Sequence, residues 1–144
     1  MNGLNTIKHW LSRLHLIRKS PDDQRGPLAD TQNIGQFYEK QALKYLQKQG
    51  LRLIEANFNC RYGELDLIMA DADVLVFVEV KFRQSRAYGG AVSAVSRSKQ
   101  QKLIKTAQWF MQQHQLSNKP ARFDVVAIEG ENNIHWLKNA FYAN

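Results

Sequence analysis

A single cysteine, Cys60, excludes an intramolecular disulfide in this 144-residue chain and suggests a reducing compartment. Histidine is sparse as well. His9, His15, His114 and His135 lie far apart, so no zinc-ligand spacing and no HExxH motif exists. No stretch approaches the ~18 consecutive apolar residues of a transmembrane helix. The N-terminal segment lacks both the continuous apolar core and the small-residue cleavage site of a secretory signal. These absences lead us to expect a cytoplasmic protein with no membrane partner.

Acidic residues are missing from one place in particular. Between Glu79 and Asp124 there is no Asp or Glu, while nine of the chain's 20 basic residues fall between Lys81 and Arg122. The rest of the chain is slightly acidic, so the whole formal charge of +7 comes from this segment. A basic segment of one sign is what a phosphate backbone attracts, although a solvated basic helix has the same composition. A hydrophobic fraction of 44% with 10% aromatics fits a folded domain with a real core.

Residues 1–30 read as an appendage, and 31–144 as the domain. Leu4, Ile7, Leu11 and Leu14 recur at helical spacing among Lys8, Arg13, Arg18 and Lys19, a basic amphipathic helix able to touch a membrane surface, a partner or nucleic acid, or to pack on its own domain. Ser20-Pro21 and Gly26-Pro27 mark a linker. A helix is predicted from about Asn33 to Gln49, capped by Thr31 or Asn33 and stopped at Gly50, with Ile34, Tyr38, Ala42, Tyr45 and Leu46 as its apolar stripe. Leu51–Phe58 reads as a strand with Leu51, Leu53 and Glu55 on one face. After Gly89-Gly90, Ser96 caps a helix from about Arg97 to Gln115 with Leu103, Ala107, Phe110 and Met111 buried. Arg122–Ile128 and Ile134–Leu137 are strands. The order, helix, three strands, helix, two strands, implies an α/β domain around one mixed sheet.

Gly63–Arg83 carries the chemistry. It reads as two strands joined at Ala72-Asp73, with charges set into otherwise apolar runs, and charge there is costly unless it is paired or holds a metal. With a two-residue loop, Asp66 lies opposite Glu79 and Glu64 opposite Lys81, each pair on one face with Cβ atoms about 5 Å apart. Two facing carboxylates make a half-cage for a hard cation such as Mg²⁺ or Mn²⁺, which neutralises phosphate charge and activates water. Lys81, two residues after Glu79 on the same face, can stabilise developing negative charge or orient the water. From the basic segment, Arg83, Arg86, Arg97, Lys99 and Lys102 are candidate phosphate contacts, and Lys99 at the start of its helix is best placed to face the hairpin.

This combination resembles the PD-(D/E)xK nuclease superfamily. It is closest to the YraN family within it, bacterial proteins with an endonuclease-like fold. The resemblance is carried by Gly35, Glu39, Ala42 and Leu46; Asn57; Gly63-Glu64-Leu65-Asp66-Leu67-Ile68; Phe77-Val78-Glu79-Val80-Lys81 with Arg83; Tyr88-Gly89; Lys99; Arg122-Phe123-Asp124-Val125-Val126; and Asn139-Ala140-Phe141. It implies a restriction-endonuclease-like core with about five strands flanked by two helices. It implies Asp66 and Glu79 as metal ligands, Lys81 as the catalytic lysine and Glu39, joining from the first helix, as a further catalytic acidic residue and metal ligand. Tyr38 stands where many relatives have Gly. Glu64 and Arg122 are supporting residues.

The expected function is metal-dependent cleavage of phosphodiester bonds in nucleic acid, DNA favoured over RNA, including branched or damaged forms. The alternatives are a non-catalytic nucleic-acid-binding module on the same scaffold and an adaptor that uses its N-terminal helix. A homodimer is compatible with a branched substrate.

Overall fold

The computed structural model describes residues 29–83, 95–130 and 133–143, and of residues 29–33 and 83 it describes the backbone alone. The amphipathic segment, the linker and the loop carrying Arg86 and Gly89-Gly90 lie outside the described residues. The chain forms α1 (Ala29–Lys48), β1 (Arg52–Cys60), β2 (Gly63–Asp71), β3 (Val74–Arg83), α2 (Arg97–Gln113), β4 (Ala121–Glu129) and β5 (Asn133–Phe141). The strands lie side by side in chain order. Every neighbouring pair is antiparallel except β3 and β4, which run parallel. A parallel pair cannot be closed by a tight turn, and the connection between these two contains α2.

The strand sequences explain this layering. In β2, β3 and β4 both faces are apolar, so both need a cover. Leu67, Met69, Val76, Val78, Val126 and Ile128 pack with Ala42 and Leu46 of α1. Ile68, Leu75, Phe77, Phe123 and Val125 pack with Leu103, Ala107 and Phe110 of α2. Each such buried large side chain contributes about 1.5–3 kcal/mol. The result is the mixed five-stranded α/β sheet with a helix on each face that the sequence implies.

Helix ends follow local chemistry. At the end of α1, Gly50 adopts φ 97°. The Leu51 N–H donates to Leu46 C=O at 3.1 Å and the Gly50 N–H to Gln47 C=O at 3.0 Å, the paired bonds of a Schellman stop. Ser96 caps α2 by accepting from the Lys99 N–H at 3.2 Å. That helix stops with Gln115 at φ 55° and the Leu116 N–H on Met111 C=O at 2.7 Å, a stop with no glycine to announce it.

Four expectations are corrected. α1 begins at Ala29, ahead of both proposed caps, because nothing between Ala29 and Asn33 interrupts helical backbone. Ile34 does not join the buried stripe; it is 51% exposed, and Phe37 55%, since α1 meets the sheet further along, through Ala42 and Leu46. In β1 a register shift between Leu53 and Glu55 breaks the alternation that was to put Leu51, Leu53 and Glu55 on one buried face, and Leu53 is exposed while Leu51 is buried. β5 continues four residues past Leu137, to Phe141. There the Asn139 N–H turns to Asp124 and Phe141 pairs with Phe123.

Candidate active site

The β2–β3 hairpin has the inferred two-residue loop, with Ala72 at φ 51°. Its ladder runs from Asp71–Val74 to Leu67–Val78 and ends there. Asp66 and Glu79 come next on the two strands. The Val80 N–H donates to Asp66 Oδ2 at 2.9 Å, so a carboxylate takes the place of a ladder partner as the strands part. Alternation with Ile68 and Phe77 turns both Asp66 and Glu79 to the α2 face. Glu79 is buried there at 5% exposure, and the two carboxyl groups are within hydrogen-bonding reach of each other.

Two lysines converge on Glu79. Lys99 Nζ from the first turn of α2 lies 2.5 Å from Glu79 Oε1, and Lys81 Nζ lies 3.5 Å from the same oxygen. α2 is brought this close by its second-half contact with β2. Gly63 has φ 149°, and a Cβ there would stand 3.1 Å from Thr106 Oγ1, so glycine answers both the backbone conformation and the approach of the helix. Between sheet and helix lies an open cleft of about 310 Å³, bounded by Gly63, Asp66 and Glu79 on one side and Ser96, Lys99 and Lys102 on the other.

Electrostatics set this cluster apart from an ordinary ion pair. Burial, the Glu79 charge and the more distant Glu39 push the Asp66 carboxyl up to about 8, against the lowering effect of the Val80 N–H. Glu39, half-buried on α1, is also raised, first by desolvation and then by Glu64 and Glu79, while a hydrogen bond with the Asn57 side chain opposes the shift. The Lys81 ammonium is lowered by burial and by Lys99 beside it. Desolvation pulls Lys99 the same way, but Glu79 and its other neighbours outweigh it and hold Lys99 above the usual lysine value.

Asp66 is thus a buried carboxyl beside a second carboxylate, and of the two only Glu79 has lysine partners within ion-pair distance. Among the described residues no three His, Cys, Asp or Glu side chains stand close enough to cage an ion by themselves. A hard cation such as Mg²⁺ takes one or two carboxylates and completes its shell with waters or substrate oxygens, and Asp66 and Glu79 are the two carboxylates that would be offered to it here. The residues present fit such an ion.

The sequence-derived candidates are distributed as follows. Asp66, Glu79, Lys81 and Lys99 meet in one cluster, and Glu39 is near enough to feel Glu79 and Glu64. Lys102 borders the cleft, and Arg97 is exposed on the first turn of α2. The Arg83 side chain and Arg86 lie outside the described residues. Glu64 does not face Lys81 across a ladder, because the ladder has ended; it lines the cleft and acts on Glu39 instead. Arg122 alternates to the opposite face of the sheet. There its Nη1 is 2.9 Å from Asp71 Oδ2, and its Nε donates to Asp124 Oδ1 at 3.1 Å. Tyr38 stacks on Phe82 with ring centroids 3.8 Å apart, which docks the α1 turn carrying Glu39 against β3.

Asn57 was not singled out for the site from the sequence. It holds φ 55° within β1, between Ala56 and Phe58, which pair with Leu67 and Leu65 of β2. Its place is therefore beside Asp66, with its side chain on Glu39. The available signal was an asparagine, one of the few non-glycine residues at ease in left-handed backbone, in the middle of a strand.

A mixed sheet with a helix on each face, a carboxylate where two strands part and a Glu-x-Lys on the second of them define the endonuclease-like PD-(D/E)xK class. Within it the chain belongs to the family described as "Uncharacterised protein family UPF0102", whose profile matches residues 38–128, the family to which the YraN-like residues point. It is 48% identical over 118 residues to a UPF0102 protein of Stutzerimonas stutzeri (strain A1501), covering 79% of this chain and 98% of that one. A UPF0102 protein of Colwellia psychrerythraea (strain 34H / ATCC BAA-681) is 52% identical over 112 residues, covering 74% and 87%. Among the described residues no helix is long and apolar enough to cross a membrane.

Proposed function

We propose that the chain is a divalent-cation-dependent nuclease that hydrolyses phosphodiester bonds in DNA. The observation that carries this reading is the meeting of Asp66 and Glu79 where β2 and β3 part, with Lys81 and Lys99 on the same carboxylate. Hydrolysis adds a water oxygen to phosphorus and releases a bridging oxygen that must gain a proton. A bound Mg²⁺ or Mn²⁺ supplies neutralisation of phosphate charge and a more acidic water. Asp66, aimed by the Val80 N–H, and Glu79 hold the cation. Lys81, lowered by burial and by Lys99, orients the water and exchanges a proton at Nζ more readily than a free lysine. Lys99 and Lys102, on the helix side of the cleft, neutralise the phosphate. Glu39 and Asn57 brace the site from the first helix and the edge strand.

The test is cleavage of duplex, single-stranded, flapped and four-way DNA by purified protein in Mg²⁺ or Mn²⁺. The unaltered protein cleaves at least one of these and Asp66→Ala does not; cleavage that survives Asp66→Ala comes from something else and ends the assignment. One observation favours a second reading, a binding module without catalysis: Lys99 already neutralises Glu79, so the carboxylate has a partner without any metal. Metal titration separates the two, since a pure binder need take up no Mn²⁺ through Asp66 and Glu79.

A further inference from the structure

Tyr62 and Trp109 are large aromatic residues that belong to neither hydrophobic core. Tyr62 sits in the β1–β2 turn, directly before Gly63, and Trp109 on α2. Their rings meet edge to face with centroids 5.7 Å apart. The exposed Arg61 lays its guanidinium over both, 4.7 Å from the Tyr62 centroid and 5.3 Å from that of Trp109. Arg61 Nη2 also donates to the Tyr62 hydroxyl at 2.5 Å.

The position of the cluster relative to the cleft is informative. Lys99, Lys102 and Thr106 line the cleft from α2, and Trp109 continues their spacing of three and four residues, which keeps a helix face. Gly63 and Glu64 line it from β2, next to Tyr62. Tyr62 and Trp109 therefore stand next along the chain and along the helix face from residues that line the cleft, on the side away from Lys99. Ten residues of helix separate Lys99 from Trp109, about 15 Å, or about four nucleotides at the rise of a stacked strand. Aromatic faces beside a basic track are how unpaired bases are held, because every base has a face to stack while paired bases present only their edges.

Resting on the nuclease reading, we propose that Trp109, Tyr62 and Arg61 form a stacking platform for unpaired bases, so that the substrate of this site carries a single-stranded segment next to the bond in the cleft. Arg61 holds the place of a base in the free protein. A base stacked on an aromatic ring is worth about 1–3 kcal/mol against about 0.5–1 kcal/mol for an exposed cation–π contact, so the guanidinium yields the Trp109 face to a base and exchanges its bond to the Tyr62 hydroxyl. The freed Arg61 then meets a neighbouring phosphate.

The test is equilibrium binding of fluorescein-labelled oligothymidylate and of a blunt duplex to the full chain in metal-free buffer, by anisotropy, for the unaltered protein, Trp109→Ala and Trp109→Phe. Trp109→Ala weakens oligothymidylate binding about tenfold, the stacking energy of one base, and leaves duplex binding unchanged. Trp109→Phe, which keeps a ring, recovers most of the loss. Tryptophan quenching by oligothymidylate, present in the unaltered protein, shrinks in Trp109→Phe. Equal loss for both DNAs, or no loss for either, overturns the platform and leaves the nuclease reading standing. Failure of the unaltered protein to bind either DNA overturns the platform, and the nuclease reading is then decided by the cleavage test in Mg²⁺ or Mn²⁺.

Discussion

Lys99 Nζ stands closer to Glu79 Oε1, at 2.5 Å, than does Lys81, at 3.5 Å, although Lys81 is the lysine on Glu79's own strand. A cation entering between Asp66 and Glu79 competes with the helix lysine for that oxygen. The Lys99 side chain is 41% exposed, so its pairing is worth no more than about 1 kcal/mol, roughly fivefold in affinity. Lys99→Met is expected to bind Mn²⁺ about fivefold more tightly by calorimetry while cleaving DNA more slowly. Weaker Mn²⁺ binding by this variant would refute the competition.

Asp66 makes folding pH-dependent in a definite direction. Its carboxyl goes from the ordinary 3.8 in the unfolded chain to about 8 in the fold. The folded state thus binds the proton more tightly. The stability this gives is fully present below the ordinary value and is lost as pH rises through about 8. Thermal melts of metal-free protein should fall from pH 4 to pH 9 more steeply than those of Asp66→Asn. Mg²⁺ should raise the melting temperature of the unaltered protein at pH 8, by the equivalent of about 2.7 kcal/mol at a hundred times its dissociation constant, and leave Asp66→Asn unmoved. Parallel pH profiles for the two proteins would contradict the assignment of this shift.

Asp124 is a stability residue on the other face of the sheet. It is fully buried and accepts from Arg122 Nε, from Trp136 Nε1 at 2.9 Å and from the Asn139 N–H at 3.0 Å. Asp124→Ala leaves Arg122 Nε and two further donors without their acceptor, the guanidinium keeping only Asp71. It should cost about 3–5 kcal/mol in urea unfolding, as for one partner removed from a buried pair. A cost below about 1 kcal/mol would mean that water or another acceptor replaces it.

Gly63→Ala tests the approach of the helix to the sheet. The new methyl group meets Thr106 Oγ1 at 3.1 Å on a backbone that L-residues avoid. The variant should lose about 1 kcal/mol or more of stability. Adding Thr106→Ala should relieve the contact and leave the backbone cost. If the single variant melts with the unaltered protein, the helix has room to move away from the cleft.

The alternation of Gly63–Arg83 was enough to place Asp66, Glu79 and Lys81 on one face, because side-chain direction in a strand depends only on parity and a two-residue loop fixes the register. The stop at Gly50 and the cap at Ser96 were equally readable, since they rest on local backbone and capping chemistry. The bulge in β1 was not, because tertiary packing imposes it on residues with no strong preference. Glu64 was placed opposite Lys81 by extending a ladder that in fact ends three residues earlier, at Leu67–Val78, beyond which the Asp66 carboxylate binds the Val80 N–H.

Sequence alone therefore determined the two layers of helix, the apolar strands and the Asp66, Glu79 and Lys81 set, all of which follow from spacing along one chain. It also carried the family. Tertiary structure decided which distant residues complete the cluster. Lys99 reaches Glu79 because α2 crosses the sheet between two parallel strands. Glu39 is carried in by the stacking of Tyr38 on Phe82, and Arg122 is turned away to Asp71 and Asp124. These contacts join residues far apart in the chain, and no periodicity encodes the distance between them.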